Sequence, residues 1–485
     1  MSAKNILYIL GTFLFFLGLT MVLPLAWSLF YGENDLIAFA ASAGITTLAG
    51  ALLYHLFRPS DGDVSLTHRE GFLIVAAGWL CAGAFGAIPY MVHGTVPSFG
   101  DAFFESISGF TTTGATVIDH IDSLPHGILF WRSMTQWFGG MGIIILSIAI
   151  FPLLGVGGMQ LYKAELPSPV KDKLTPRVTE TARTLWIVYF IISTVEFILL
   201  LCGGMSVFDA LCHTFTTMAT GGFSTHDASI AHFHSPFIDS VITFFMLAAG
   251  VNFTLHYSLI IGNVRSLFSN SEFRFYIAVI AIAVILVTCD LHQHHQEAGG
   301  SGSSLRYASF QVVSIMTTTG FTTADFDGWP ALSKIILILL MFIGGSAGST
   351  GGSIKCLRIL LILKHSYKEL YHLVHPHAVT AVKLGKKIIY PQTMASIWGF
   401  FALYITLTAA ASLVMTMLGL DVMTAFSSVA ATIGNVGPGF AGVGPSMTYS
   451  EIPMTGKWVL SLCMLAGRLE IYTVLVLLTP EFWKK

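Results

Sequence analysis

The chain has 485 residues, of which 54% are hydrophobic and only 10% are charged, and its formal net charge is −2. This composition excludes a set of soluble domains and indicates an all-α, polytopic membrane protein. The six cysteines are scattered singly, without Cys-x-x-Cys or Cys/His ligand spacing, which argues against a disulfide framework and against a structural zinc site.

Ten stretches are long and apolar enough to cross a hydrocarbon core about 30 Å thick, which takes roughly 20 helical residues. In chain order they lie at 5–31, 37–57, 71–92, 127–157, 184–205, 236–262, 274–291, 331–363, 393–419 and 456–479. Residues 5–31 are too long for a cleaved signal, so we expect them to remain as the first membrane helix. Together with the second stretch they predict an N-terminal transmembrane hairpin over residues 1–60.

The distribution of Lys and Arg predicts the orientation of these helices. If the N-terminus is cytoplasmic, all but five of the 24 Lys and Arg residues fall in cytoplasmic segments or at cytoplasmic ends. The five exceptions are Arg132, Arg306, Lys334, Lys457 and Arg468. The positive-inside rule therefore predicts that both termini are cytoplasmic. The outer loops carry acidic residues instead, and an acidic mouth concentrates cations.

A short pattern occurs four times between the predicted spans, each time ending in a stretch rich in Thr and Gly. The copies are DAFFESISGFTTTG at 101–114, DALCHTFTTMATGG at 209–222, YASFQVVSIMTTTG at 307–320 and DVMTAFSSVAATIG at 421–434. Each copy is too short to cross the membrane and is typical of a re-entrant half-helix. Two spans separate successive copies, so every copy enters from the same, outer side. This spacing predicts four tandem two-helix pore units around one axis with pseudo-fourfold symmetry, at 71–158, 183–263, 273–364 and 393–480.

The Thr-Gly stretches have the chemistry of a filter for a monovalent cation. Exposed backbone carbonyls survive in a membrane only where they line a cavity, and a ring of carbonyls can replace the hydration shell of K⁺. Thr-Gly pairs also simply end helices, but four copies in register favour the filter. The predicted filter residues are Thr112, Thr113, Gly114, Thr220, Gly221, Gly222, Thr318, Thr319, Gly320, Ile433, Gly434, Asn435 and Val436. In the fourth copy Gly437 offers a second register, which leaves open whether Asn435 or Val436 faces the ion.

These four segments resemble the Trk/Ktr/HKT superfamily of potassium transporters over roughly residues 71–480, and the N-terminal hairpin places the chain nearest its bacterial Trk branch. In that superfamily a glycine at the first filter position of each unit marks a preference for K⁺, whereas serine in the first unit accompanies Na⁺. The resemblance therefore implies K⁺ or Rb⁺ permeation in a bacterial inner membrane. It also implies a homodimer, a cytosolic nucleotide-binding ring of the TrkA type as partner, and no cofactor besides the K⁺ held in the filter.

The second helix of the third unit is interrupted by the sequence GGSAGSTGGS at 344–353. So many Gly and Ser residues cannot maintain a regular helix in lipid. A phosphate-binding loop is disfavoured because the G-x-x-x-x-G-K-[ST] pattern is not met. Close helix packing through small residues is a second interpretation. As in the resembled superfamily, we predict a flexible intramembrane gate beneath the filter, comprising Gly345, Ser346, Ala347, Gly348, Ser349, Thr350, Gly351 and Gly352.

Arg468 lies inside the last apolar stretch, 34 residues after Gly434. A charge at mid-membrane costs about 3 kcal/mol or more unless it faces water or a partner. We predict that Arg468 faces the pore below the filter and belongs to the gate. The alternative is a structural salt bridge, although Glu470, two residues on, would point to another side of a helix.

No nucleophile–base pair, H-E-x-x-H motif or P-loop is present, so the sequence predicts a transporter that is not an enzyme, and no nucleic-acid partner. The alternative function is a secondary transporter that couples K⁺ to H⁺ or Na⁺. Such a protein would be expected to have inverted repeats and carboxylates at mid-depth, and neither is evident in the sequence. The outer stretch His292-Gln-His-His295 could bind a metal ion, but a solvated loop is the favoured interpretation.

Overall fold

A computed structural model describes residues 3–59, 67–142, 178–294, 301–385 and 387–484. The helices in these ranges have the following bounds: Ala3–Thr20, Val22–Tyr31, Leu36–Leu56, His68–Gly86, Ile88–His93, Phe99–Phe110, His126–Trp137, Val178–Cys202, Val207–Met218, Pro236–Ala249, Phe253–Ile260, Val264–Ser269, Ser271–Gln293, Ser301–Met316, Ala331–Met341, Cys356–Val374, Pro391–Met417, Val422–Ile433, Met454–Arg468, Tyr472–Leu475 and Pro480–Trp483. Two short strand pairs complete the described elements. Ile343–Gly344 pairs in parallel with Ile354–Lys355, and Lys383–Leu384 pairs antiparallel with Lys387–Ile388.

Six of the described helical segments are long and apolar enough to span a membrane, and two bent pairs raise that number to eight. The six are Ala3–Tyr31, Leu36–Leu56, Arg69–His93, Arg183–Cys202, Ser271–Gln293 and Pro391–Met417. The predicted stretch 127–157 is described only as far as residue 142, so the end of the first unit lies outside the described residues, as do Lys163, Lys171, Lys173 and Arg177. The stretch 331–363 is not one helix, because the Gly- and Ser-rich run separates Ala331–Met341 from Cys356–Val374.

The N-terminal hairpin is held together by close contact between small residues. A side chain at Gly11 would collide with the backbone of Tyr54, and one at Gly18 would collide with the backbone of Thr47. Small residues let the backbones of membrane helices approach, and this approach increases van der Waals packing in a solvent that offers no hydrophobic drive. The predicted hairpin therefore forms between Ala3–Thr20 and Leu36–Leu56.

Four short helices follow longer apolar ones and contain the four repeats: Phe99–Phe110, Val207–Met218, Ser301–Met316 and Val422–Ile433. Three of them have 12 residues, about 18 Å of helix, which is too short to cross the hydrocarbon core. Their first turns are capped by side chains: Ser206 Oγ accepts the N–H of Asp209, and Asp421 accepts the N–H groups of Met423 and Thr424. We refer to them as half-helices 1 to 4.

The helical segment after each half-helix is interrupted at a glycine. A five-residue π-helical turn, Phe138–Gly142, follows His126–Trp137, and the helix pairs that meet near Gly250 and after Arg468 are bent by 104° and 113°. At two of these breaks a side chain could not be accommodated. A Cβ at Gly139 would overlap the carbonyl oxygen of Phe110, and one at Gly467 would overlap that of Ile433. Both breaks therefore lie directly against the ends of half-helices 1 and 4.

Candidate functional site

All four half-helices end in the same backbone turn. The second residue after the helix has a positive φ: 53° at Thr112, 53° at Thr220, 60° at Thr318 and 53° at Asn435. The next residue donates its N–H to the carbonyl oxygen five positions earlier, at distances of 2.9, 2.8, 2.8 and 2.8 Å for Thr113, Gly221, Thr319 and Val436. The residue after that is a glycine with φ between 76° and 96°, namely Gly114, Gly222, Gly320 and Gly437. A turn with a left-handed residue is a common way to end a helix, and here it occurs four times.

The fourth filter segment is therefore shifted by three residues from the register predicted by the repeat. Gly437, not Gly434, has the conformation of Gly114, and Asn435 and Val436 take the places of Thr112 and Thr113. Ile433 is the last residue of its half-helix, and Gly434 follows with an ordinary helical φ of −78°. Of the two registers left open by the sequence, the structure has the one that begins at Asn435.

The shift has a simple physical cause at the start of the half-helix. The repeat aligned Asp421 with Asp101 and Asp209, because an aspartate opens each of these copies. In the structure Asp421 is the N-cap, with its carboxylate bound to the N–H groups of Met423 and Thr424, whereas Asp209 lies three residues inside the cap Ser206. Aspartate stabilises a helix at either position, so the residue type alone does not fix the register.

The four turns contact one another in a closed cycle. A Cβ at Gly114 would overlap the carbonyl oxygen of Gly221, and one at Gly222 would overlap that of Thr319. In the same way, a Cβ at Gly320 would meet the carbonyl oxygen of Val436, and one at Gly437 would meet that of Thr113. Each glycine therefore lies against a carbonyl of the next unit, in the order 1, 2, 3, 4 and back to 1. The sequence-predicted residues of units 1 to 3 are brought together, with Asn435, Val436 and Gly437 completing the cycle.

Side chains behind the ring hold the turns in place. The hydroxyl groups of Thr111 and Thr113 are 2.8 Å apart, and those of Thr317 and Thr319 are also 2.8 Å apart. Units 2 and 4 have no such pair, because their corresponding residues are Ala219 with Gly221 and Gly434 with Val436. In the fourth unit Asn435 instead donates from Nδ2 to Thr113 Oγ1 at 2.9 Å and to the carbonyl of Met464 at 3.0 Å. The hydroxyl pairs thus alternate around the ring.

The second helix of unit 1 binds the turn of unit 2 through Gln136. Its Nε2 donates to the carbonyl of Gly221 at 2.7 Å, and its Oε1 accepts the N–H of Phe223 at 3.0 Å. Gln136 is fully buried, so both bonds form away from water. Because it satisfies two backbone groups of one segment, it fixes the orientation of the peptides on either side of Gly222.

A buried ion pair joins the segments that follow the first two turns. Arg132 Nε lies 2.9 Å from Glu105 Oε1, and both side chains are buried. Glu105 accepts the N–H of Val117 at 2.9 Å, while Arg132 donates from Nη1 to the carbonyl of Ser224 at 3.1 Å. The Arg132 guanidinium also lies 4.2 Å from the ring centre of Phe223. One charge pair therefore positions residues directly after Gly114 and Gly222.

Replacing Glu105 with glutamine should destabilise the protein by about 3–5 kcal/mol, because the charge of Arg132 would stay buried without its counter-charge. The measurement is a thermal unfolding curve of the detergent-purified protein, followed by tryptophan fluorescence. Glu33→Gln is the matched control, since Glu33 forms a comparable but partly exposed pair with His126 at 2.7 Å and should contribute less than about 1 kcal/mol. Equal melting temperatures for the two variants would contradict the structural role given to Glu105.

The Gly- and Ser-rich run 344–353 lies against the inner ends of the turns. The Gly352 N–H donates to Thr318 Oγ1 at 2.6 Å, and a Cβ at Gly352 would collide with the carbonyl of Gly434. On its other side the run is bound to the break in unit 2, where the Ser346 N–H donates to the carbonyl of Gly250 at 2.8 Å. It is not helical in the structure, as the sequence predicted. We call residues 345–352 the intramembrane loop.

Two further groups fix the far side of this loop. Glu272, at the start of Ser271–Gln293, accepts the N–H of Ala347 at 2.6 Å. The Phe253 N–H donates to the carbonyl of Gly348 at 3.1 Å, and Lys355 Nζ binds the carbonyl of Gly351. Glu272 is buried, and a buried charge-assisted hydrogen bond is among the stronger polar contacts.

Arg468 connects the intramembrane loop to unit 1. Its Nη1 donates to the carbonyl of Thr350 at 2.8 Å, and its Nη2 binds the carbonyls of Gly139 and Gly140, the latter at 3.1 Å. Glu470 forms its ion pair with Arg358. The predicted gate residues are thus brought together, with the guanidinium bound to backbone oxygens at two glycine breaks and at the loop.

Several of these residues were not predicted. Arg132 was assigned to the outer side without a role, and Glu105, Gln136 and Glu272 were not singled out. The signal that could have found them is an ionisable or amide side chain in an apolar segment, which is a candidate functional residue by itself. Glu196 carries the same signal: it is fully buried in Val178–Cys202. The expectation that mid-depth carboxylates are absent is therefore wrong.

Comparisons with known proteins agree with this arrangement. A family model described as TrkH, cation transport protein, matches residues 36–485. The Trk system potassium uptake protein TrkH of Salmonella typhimurium is 43% identical over the full length of both chains, and TrkH of Halomonas elongata is 45% identical over the same coverage. The crystal structure of the potassium transporter TrkH from Vibrio parahaemolyticus superposes with a TM-score of 0.90 at 39% identity, covering all of both chains. The resemblance predicted from the filter segments is confirmed, and the chain belongs to the TrkH family of cation transport proteins.

Proposed function

We propose that this protein takes up K⁺ across the bacterial inner membrane through a central filter formed by the four turns. The observation that supports the proposal most directly is the closed cycle of contacts among Gly114, Gly222, Gly320 and Gly437, because each places a neighbour's carbonyl at the same level. A ring of backbone oxygens can replace the hydration shell of K⁺. The relatives named TrkH are potassium uptake proteins by name, which supports K⁺ as the ion.

The proposal includes ten transmembrane helices and four re-entrant pore helices in four pseudo-fourfold units, with cytoplasmic termini. Permeation is channel-like for K⁺ and Rb⁺, and the intramembrane loop with Arg468 is the gate. A homodimer and a cytosolic nucleotide-binding ring of the TrkA type complete the system. The basic cytoplasmic segment around Lys364 supports such a partner, since Lys364 Nζ donates to the carbonyl of Lys383 at 2.9 Å and draws the following strand pair toward the helix Cys356–Val374.

The experiment that tests this function is ⁸⁶Rb⁺ uptake into proteoliposomes that contain the purified protein and are loaded with K⁺. We expect uptake to be competed by external K⁺ and not by Na⁺ at equal concentration. Uptake equal to that of protein-free liposomes, or equal competition by both ions, would contradict the proposal.

Shortening the intramembrane loop should open the path. Deleting residues 346–351 should raise basal ⁸⁶Rb⁺ uptake several-fold without changing the ratio of K⁺ to Na⁺ competition, because the loop lies beneath an intact ring. Glu272→Ala is a milder companion that keeps the chain length and removes the acceptor of the Ala347 N–H. It should raise uptake in the same direction. A deletion protein that folds but shows equal or lower uptake would make the run a packing element instead.

A coupled transporter is the second candidate, and Glu196 is the observation that favours it. A fully buried carboxylate is costly to ionise, and such groups in membrane helices often carry protons. Current through the reconstituted protein distinguishes the two. For a channel, the reversal potential follows the K⁺ gradient alone. For a proton-coupled transporter, it shifts when a pH gradient is imposed, and Glu196→Gln removes that shift. We expect the K⁺ gradient alone to set the reversal potential.

A further inference from the structure

Three potential metal ligands meet on the outer loops, away from the filter and from the histidine-rich stretch noted in the sequence. They are Asp122, from the segment after turn 1, and His226 and His232, from the segment after turn 2. One ligand atom from each lies within 4.8 Å of the others. His226 Nδ1 is 2.7 Å from Asp122 Oδ1, and the rings of His226 and His232 are stacked with centres 3.5 Å apart. Residues from two units therefore contribute to one cluster.

We propose that this cluster binds one divalent transition-metal ion of the Zn²⁺ type. Two imidazole nitrogens and one carboxylate oxygen form a common ligand set for Zn²⁺, and a water molecule would complete a tetrahedral site. Tetrahedral ligands about 2.0–2.1 Å from zinc lie roughly 3.4 Å apart. The three side chains therefore need to close by about 1 Å. Asp122 and His232 are exposed, so their side chains can make this movement without disturbing the protein interior.

The surroundings of the cluster suit a cation. Asp209 Oδ1 lies 3.6 Å from His226 Nε2, and Asp227 stands next to His226 in the chain. Burial alone would lower the pKa of His226, but its hydrogen bonds to Asp209 and Asp122 outweigh burial and raise it. Burial and the neighbouring His226 lower the pKa of His232. His232 therefore offers a neutral nitrogen, while the nearby carboxylates offset the positive charge of an ion.

The cluster is connected to the filter by a short path. His226 is four residues after Gly222, and its N–H donates to Ser224 Oγ at 3.1 Å. The carbonyl of the same Ser224 binds Arg132, which pairs with Glu105 behind turn 1. A bound divalent ion would join the outer segments of units 1 and 2 and add two positive charges at the mouth. Both effects oppose the entry of K⁺, so external Zn²⁺ should inhibit uptake.

Direct binding tests the site independently of transport. The protein is purified in detergent, stripped with a chelator and titrated with ⁶⁵Zn²⁺ in equilibrium dialysis. We expect one ion per chain, bound at least about tenfold more weakly in His232→Ala and in Asp122→Asn. His232→Ala is the cleaner variant because its side chain is exposed. His294→Ala is the matched control: it removes another exposed outer histidine, one that lies 3.4 Å from Asp290. Equal affinity in wild type and His232→Ala, or loss of the ion in His294→Ala, would overturn the proposal.

The effect on flux rests on the proposed function and is measured separately. External Zn²⁺ should reduce ⁸⁶Rb⁺ uptake by wild type and by His294→Ala at least fivefold, and should reduce that of His232→Ala much less, each compared with its own uptake without zinc. Zinc binding without inhibition would overturn the regulatory part of the inference. If wild type shows no ⁸⁶Rb⁺ uptake at all, the proposed function fails while the binding result stands.

Discussion

Replacing Arg468 with alanine should raise K⁺ uptake several-fold to about tenfold and leave the preference for K⁺ over Na⁺ unchanged. The guanidinium is always charged at physiological pH. At an effective dielectric constant of about 20 and a separation near 6 Å, it would repel K⁺ by roughly 3 kcal/mol, or about a hundredfold in occupancy. Ordered water reduces this repulsion, so the expected change in flux is smaller.

The contacts of Arg468 add a second reason. Its guanidinium binds carbonyl oxygens of Thr350, Gly139 and Gly140, and thereby ties the intramembrane loop to unit 1. Removal of the side chain frees both the loop and the oxygens. Backbone carbonyls freed in this way need another partner, and water or a passing K⁺ can supply it.

Arg468→Lys separates charge from connection. Lysine keeps the positive charge but presents a single ammonium group, which cannot reproduce the planar fork of arginine. We expect uptake by the Lys variant to stay close to wild type, because the charge is the larger part of the barrier. The measurement is ⁸⁶Rb⁺ uptake together with a thermal unfolding curve of each variant. If Arg468→Ala lowers both uptake and stability, Arg468 is a structural residue and the barrier interpretation is wrong.

The comparison of sequence and structure shows what a repeat can and cannot predict. Turns 1 to 3 were predicted at the right residues because the pattern is local: a short amphipathic helix followed by Thr and Gly residues. The helix breaks at Gly139–Gly140, Gly250 and Gly467 also leave a local signal. The non-helical run 344–353 was predicted from composition alone. These features depend on backbone preferences within a few residues.

The groups that hold the site together depend on distant contacts and were not predicted. Gln136 binds Gly221, 85 positions away, and Arg132 binds Ser224, 92 positions away. A polar residue in an apolar segment signals that a partner exists, but it does not identify the partner. The zinc-type cluster has the same character, since Asp122 and His226 come from different units. The sequence instead drew attention to His292 and His294, which are neighbours in the chain.

The register of the fourth turn is the prediction on which sequence and structure differ most clearly, and three serine variants decide between them. The structure places Gly114 and Gly437 in equivalent positions, with φ of 82° and 96°. A serine there is strained by its backbone conformation, and its Cβ would also overlap a carbonyl of the adjacent turn. Gly114→Ser and Gly437→Ser should therefore distort the same ring of oxygens and admit Na⁺.

Gly434→Ser is the matched control, because the repeat pattern, but not the structure, places Gly434 in the ring. Its φ of −78° suits any residue, and its Cβ would meet the carbonyls of Ala430 and Met341 at 2.8 and 2.9 Å rather than a carbonyl of a neighbouring turn. We expect this variant to lose some stability and to keep its ion preference. The measurement is the ratio of K⁺ to Na⁺ competition against ⁸⁶Rb⁺ uptake. The ratio should fall at least tenfold in Gly114→Ser and Gly437→Ser, since each disturbs carbonyls that would replace water around the ion. A large fall in Gly434→Ser with an unchanged ratio in Gly437→Ser would restore the register of the repeat and contradict the ring.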